Sequence, residues 1–295
     1  MKTEYRAMAS RKKQLFLDGM TKALRMRQSM GIPLDAPICI YDLAQRLGLD
    51  VWFKALPRFE GIYYKPTSTI VISSLRPTGR QRHTCAHEVG HHVYGHSIKV
   101  DECLSDNASV PRFIPEEFLV DCFGDFLLMP KLAVSKAFYL RGINIQLCQP
   151  EDIYAVSCQF GVGYSSLITH METNLKLLTS NKAKELSKIP PKKIRTSIVG
   201  HEIKRNLFVI DSQWLGRPID IEIGDCILVP DNFLIEGELL EFSENLARRK
   251  LYYAVRPGSG HVSCADANWK SIIRVSKYQY AGRAMYRYLE DSDHE

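Results

Sequence analysis

The sequence predicts an α+β fold for this 295-residue chain, and three observations predict it. The N-terminal half interleaves segments of helical apolar spacing with short runs of β-branched and aromatic residues. The middle reads as helix, glycine turn, helix. The last hundred residues carry strand-like runs separated by turn residues, with little helical periodicity. A chain of this length accommodates two or three domains, and the expected boundaries are 1–140, 141–195 and 196–295.

Taken in order, residues 9–29 place Leu15, Phe16, Met20, Ala23 and Leu24 roughly on one helical face among many basic residues. This is a basic amphipathic helix, and Gly31 and Pro33 end it. YDLAQRLGL is a second, short helix closed by Gly48. DVWFKAL and GIYYKPTSTIVISS have strand composition, with Pro66 marking a break or an edge. A long helix follows through the histidines, then an irregular stretch up to Pro115, then a helix over EEFLVDCFGDFLLMP that Pro130 stops. QPEDIYAVSCQFGVGYSSLITHMETNLKLL reads helix, turn, helix, with Pro150 in the first helical turn and Gly161-Val162-Gly163 in the connection. Residues 181–195 are charged and contain Pro190-Pro191, so a basic linker is expected there. Beyond it NLFVI, IDIEI, CILVP and KLYYAVR read as strands of a β-rich C-terminal domain, for which a sensory or regulatory role is expected.

Composition is that of a soluble globular protein, 45% hydrophobic and 24% charged. The N-terminus lacks the apolar stretch of a signal peptide, and no apolar run approaches the ~18 residues of a membrane helix. A cytoplasmic chain with no membrane partner is expected. Eight cysteines are scattered with no CxxC pair, which favours reduced, buried thiols over a disulfide framework. The net charge of +6 is concentrated in residues 1–30 and from Lys182 to Arg205. Such faces are ordinarily solvated surface, with nucleic acid as the sharper reading.

The chemistry sits in HTCAHEVGHHVYGH, residues 83–96, which holds five of the nine histidines. His87-Glu88-Val89-Gly90-His91 has the HExxH spacing: two imidazoles four apart share a helical face, and Glu88 lies about 100° round the helix. A hydrolytic zinc site needs three protein ligands and an open position, and HExxH alone recurs by chance, so the third ligand decides. Glu116 and Glu117, at the start of the next apolar helix, are both candidates. An exposed acidic face beside the helix dipole is the plainer reading, and Glu116 fits it better. If Glu117 is the ligand, Asp121 falls one turn later, where it can accept the free ring N–H of a ligand histidine. His83 reads as a helix-start residue, and His92 and His96 as partners of surface or core groups.

RHTCAHEVGHH followed by EEFLVDCFGDFLLMP resembles the ImmA/IrrE family of zinc metallopeptidases, over about residues 35–140. The run E-x-x-x-D-x-F-G is also similar to thermolysin-like peptidases, which favours Glu117 over Glu116. The resemblance implies a thermolysin-like (gluzincin) mini metallopeptidase domain. In it His87, His91 and Glu117 hold Zn2+, Glu88 is the general base and Asp121 supports a ligand. Leu119 and Gly124 depart from the family pattern, where Glu and Ala are common, and neither departure removes a ligand. It further implies an intracellular endopeptidase that cleaves a helix-turn-helix transcriptional repressor in a stress, DNA-damage or defence response.

Other expectations accompany that reading. GIYYKPTSTIVISS is a candidate edge for pairing with an extended peptide. The segment from Asp152 to Met171 resembles the helix-turn-helix unit that often follows the peptidase, but its second helix is poor in Lys and Arg, which favours packing over DNA readout. Cys103, in the connection between the two motif helices, is either a loop thiol or an inhibitory fourth zinc ligand. Single-stranded DNA or another nucleic acid is a candidate activating signal. The competing class is a DNA-binding transcriptional regulator whose metal site is structural or vestigial. An intact Glu88 argues against it, because a structural zinc has no use for a base. No residue is identified for oxyanion stabilisation.

Overall fold

A computed structural model describes residues 2–96, 101–102, 113–214, 217–264, 266 and 268–289. The chain packs as two units, residues 1–133 and 134–295.

In the first unit, helix α1 (Lys2–Ser29) is followed by α2 (Ile40–Arg46), β1 (Asp50–Lys54), β2 (Phe59–Tyr64), β3 (Thr69–Ser73), α3 (Thr78–Tyr94), β4 (Asp101–Glu102) and α4 (Pro115–Leu128). The strands lie in the order β1-β3-β2-β4. β1 and β3 run parallel from Asp50 opposite Thr69 to Lys54 opposite Ser73. β2 is antiparallel to β3, with Gly61 opposite Ile72. Alternate residues Val51, Phe53, Tyr63, Ile70 and Ile72 are buried, so one face of the sheet is core. For β2 the sequence leaves open an edge for an extended peptide and plain sheet core. Its outer side instead carries β4 at Phe59 and Gly61, and β3 lies inside the sheet, so the edge amides there are met by the chain itself.

Helix α1 buries Gly19, Ala23 and Arg27, one turn apart, and exposes Arg11, Lys12 and Lys13. A side chain at Gly19 would stand 2.8 Å from the Leu119 carbonyl oxygen, so its absence lets α1 lie directly on α4. Arg27 corrects the expectation of a uniformly solvated basic face. It is fully buried and donates to the carbonyls of Leu127 at 2.7 Å, Pro33 at 2.6 Å and Ala36. Burial pushes its guanidinium down to about 10, and nearby Asp35 partly offsets this, so it stays charged at neutral pH.

The division between units falls within α5 (Lys131–Leu140), and the second unit continues with α6 (Pro150–Phe160), α7 (Tyr164–Thr173), α8 (Ser180–Ser187) and α9 (Pro191–Val199). α6 begins at Pro150, its start closed by the Gln149 amide donating to Asp152 at 2.8 Å, and Gly161 at φ +67° ends it. The basic linker expected over 181–195 is instead the pair α8 and α9. Pro191 occupies the first turn of α9, where a missing N–H costs nothing, and Ala183, Leu186, Ile194 and Val199 are buried.

The strands β5 (Leu207–Val209), β6 (Ile219–Glu222), β7 (Cys226–Pro230), β8 (Leu234–Glu236), β9 (Leu240–Leu246), β10 (Arg249–Ala254), β11 (Gly258–Cys264) and β12 (Trp269–Ser276) follow. They form two sheets, β5-β7-β10-β9 and β6-β12-β11-β8. These sheets are joined to the helices of the same unit. Tyr154 donates to the Leu207 carbonyl at 2.7 Å, Arg141 pairs with both oxygens of Asp211 at 2.9 Å, and Arg217 donates to the Gln159 and Cys158 carbonyls. Among the described residues, seven cysteines are buried and form no disulfide, as their scatter predicts, and no helix is long and apolar enough to cross a membrane.

Candidate metal centre

Helix α3 starts after Pro77 and ends at Gly95, whose φ of +67° suits a residue without a side chain. Glycines bring α4 against it. A Cβ on Gly90 would lie 2.9 Å from Val120 Cβ, and one on Gly124 would lie 3.3 Å from the His87 backbone nitrogen. Glycine within a helix costs about 1 kcal/mol relative to alanine. Here it permits a helix separation short enough for a side chain in the first turn of α4 to reach α3.

That side chain is Glu117. Its Oε2 lies 3.2 Å from His87 Nε2 and 3.5 Å from His91 Nε2, and the two Nε2 atoms lie 3.1 Å apart. A tetrahedral ion with bonds of about 2.0–2.1 Å has ligand–ligand edges of about 3.3–3.4 Å, so the three atoms are spaced as ligands of one ion. Glu116, the competing candidate, is exposed.

The electrostatics agree with the spacing. His87 lies between two carboxylates, with Nδ1 2.8 Å from Asp121 Oδ1 and Nε2 facing Glu117. Carboxylate oxygens only accept, so His87 satisfies both as an imidazolium or with a cation in place of its Nε2 proton. A cation held there would also meet His91, whose Nε2 faces the same point. The His87 ring beside it, hydrogen bonding being the largest cause, holds the Glu117 carboxyl well below the usual carboxylate range despite partial burial. His87, His91 and Glu117 can therefore hold a metal ion, and the donor set of two imidazoles and one carboxylate fits zinc.

Glu88 is buried, 1% exposed. Its Oε1 turns toward β2, 3.1 Å from where a Cβ on Gly61 would stand, and the Thr84 methyl is 2.3 Å from that point. Gly61 thus leaves the room that Glu88 and Thr84 occupy. The remaining histidines take structural partners. His83 Nε2 lies 3.3 Å from Asp125, and His92 Nδ1 lies 2.8 Å from the Tyr63 hydroxyl. Sequence reasoning missed the partner of His96, which is the ligand candidate His91 itself, Nδ1 to Nδ1 at 3.0 Å. The signal was present as Gly95-His96 directly after the helix. Cys103 lies outside the described residues.

On the second unit, helices α6 and α7 flank the Gly161-Val162-Gly163 connection, the order the turn residues predict. The exposed face of α7 consists of Ser165, Ser166, Thr169 and Thr173, with no lysine or arginine. Phosphate contacts draw chiefly on such cations, so this helix is poorly suited to reading DNA.

Residues 44–168, less than half of the chain, match the M78 peptidase family model described as the IrrE N-terminal-like domain. The comparison with curated proteins returns no match. A solved structure described as a "Mycobacterium tuberculosis transcriptional regulator" is similar at 20% identity, over 53% of this chain and 46% of that one, with a TM-score of 0.35. This chain thus matches about half of that protein's length, and the score is too low to define a shared arrangement. Residues 44–168 are thus similar to the IrrE N-terminal-like domain of the M78 peptidases, in line with the ImmA/IrrE resemblance of the two motif helices.

Proposed function

We propose that the protein is an intracellular zinc-dependent endopeptidase. The observation that carries this reading is the convergence of His87, His91 and Glu117 at ligand spacing, with Glu88 buried on the same helix. Zinc bound there supplies Lewis acidity toward a peptide carbonyl and makes solvent at the site more acidic. Glu88 is the general base: it takes a proton from the attacking water and returns it to the leaving amine. Burial of its carboxylate against Gly61 fixes its direction, so little reorganisation is needed when the proton moves. Asp121 holds His87 by its Nδ1 proton and keeps Nε2 directed at the ion.

The substrate class we propose is a helix-turn-helix transcriptional repressor cut in a stress, DNA-damage or defence response. The match of residues 44–168 to the IrrE N-terminal-like domain supports this. Residues 196–295 are proposed as the regulatory part. Nucleic acid, single-stranded DNA in particular, is proposed as an activating signal through the exposed Lys184, Lys188, Lys192 and Lys193 of α8 and its surroundings. The test is incubation of the zinc-loaded protein with the repressor encoded beside its gene. The wild-type chain is expected to cleave it, and Glu88→Gln is expected to bind zinc normally yet lose cleavage by at least about a hundredfold. Cleavage that persists in Glu88→Gln would remove Glu88 from the mechanism.

A further inference from the structure

Helix α3 ends in a Schellman motif. The His96 amide donates to the His91 carbonyl at 3.0 Å, and the Gly95 amide to the His92 carbonyl at 3.0 Å. This geometry folds the residue after the glycine back over the last full turn, where an apolar contact usually fills the space. Here the two positions are His96 and His91. Their rings meet at 5.2 Å between centroids, and Nδ1 stands 3.0 Å from Nδ1, so one ring donates and the other accepts. Tyr94 stacks against His96 at 5.7 Å with an interplanar angle of 22°, which restrains the second ring. The opposite nitrogen of His91, Nε2, is the one that faces His87 and Glu117.

We propose that His96 is a positioning residue for the metal centre: it accepts the Nδ1 proton of His91 and leaves the Nε2 lone pair for the ion. The inference rests on the metal-binding reading of His87, His91 and Glu117, but not on catalysis. A neutral imidazole carries its single ring proton on either nitrogen, and the tautomer protonated at Nε2 cannot ligate through that atom. His87 is biased by the carboxylate of Asp121, whereas His91 has the imidazole of His96 at the corresponding nitrogen. A neutral ring is a weaker acceptor than a carboxylate, so the effect of His96 belongs at the low end of the ten- to hundredfold range seen for groups that support metal ligands. The helix stop therefore does more than terminate α3, since the glycine that ends the helix also places the group that orients a ligand.

Two readouts test this without peptide cleavage. Nitrogen-15 spectra of the histidine rings in the metal-free protein, at about pH 8 where ordinary imidazoles are neutral, report the tautomer of His91. The wild type is expected to show His91 protonated at Nδ1, and His96→Ala is expected to show a mixture. Zinc affinity by chelator competition is expected to fall about tenfold in His96→Ala and to recover in His96→Asn, whose side-chain oxygen can stand where Nδ1 stood. A His91 protonated at Nε2 in the wild type would overturn the proposal. So would wild-type zinc affinity in a folded His96→Ala. Should His96→Ala not fold, the wild-type spectrum and the His96→Asn affinity still decide. A chain that passes both tests but cleaves nothing would sink the peptidase reading and leave this one standing.

Discussion

Asp121 shows how much a single side chain can contribute from outside the ligand set. It is half exposed, yet its carboxylate 2.8 Å from His87 Nδ1 decides which nitrogen of that ring is available. Asp121→Ala is expected to weaken zinc binding about ten- to hundredfold while leaving the thermal melt of the metal-free protein nearly unchanged. Chelator competition and a melt on the same sample check this, and equal affinities would show that His87 needs no orienting partner. Glu117 acts at closer range, since it is the third ligand candidate; helix position by itself left it as one of two neighbouring glutamates, and the resemblance of the E-x-x-x-D-x-F-G run singled it out. Choosing between them by geometry requires knowing which one the helix rotates toward α3, and that depends on the packing of α4 rather than on local sequence.

Helices α3 and α4 meet through small residues. Gly90 faces Val120 and Phe123, Gly124 faces the backbone of α3, and Gly19 lets α1 cover the far side of α4. Gly90→Ala adds helix propensity worth about 1 kcal/mol but forces a Cβ to 2.9 Å from Val120 Cβ, and such overpacking costs about 1–3 kcal/mol. The net expectation is a lower urea midpoint together with a disproportionate loss of zinc affinity, because Glu117 is carried away from the histidines. An unchanged midpoint with unchanged affinity would show that α4 shifts without moving its first turn. The long helices and the stop at Pro130 were readable from periodicity and proline chemistry. Helix α5, by contrast, was not anticipated, although Val134, Ala137 and Phe138 are buried along one face. Its ten residues are too few for spacing alone to declare a helix.

At the scale of the whole molecule, the second unit joins the helix-turn-helix pair to the β-rich part through buried contacts, so those segments fold together rather than as beads on a linker. One of its buried charges is Asp220, paired with Arg274 at 2.9 Å and Arg287 at 3.3 Å. Burial opposes its ionisation, but Arg287 and Arg274 outweigh burial and hold the carboxyl well below the usual carboxylate range. A depressed folded pKa stabilises the fold above the unfolded value of about 3.9, and that stability is lost as pH falls below it. Thermal melts from about pH 7 downward are therefore expected to drop steeply below about pH 4 in the wild type. Asp220→Asn is expected to cost about 3–5 kcal/mol at neutral pH and to flatten that acid limb, because buried arginines are left without their counter-charge. A variant as stable as the wild type would show that Asp220 is dispensable to the fold.

The sequence by itself determined the chemistry of the site. HExxH fixes two imidazoles and a carboxylate through helix geometry, and the second motif's E-x-x-x-D-x-F-G run favours Glu117 as the third ligand, because such spacings are local. It also determined the α+β class and the helix-turn-helix pair, since capping and turn residues act within a few positions. Tertiary structure alone decided how closely Glu117 approaches both histidines, that Arg27 is buried, that β4 covers the outer side of β2 at Phe59 and Gly61, and that Ser180–Ser187 and Pro191–Val199 are helices. Each of these depends on surfaces brought together from distant parts of the chain. Burial and close approach are properties of a packed pair, and neither partner's sequence specifies them alone.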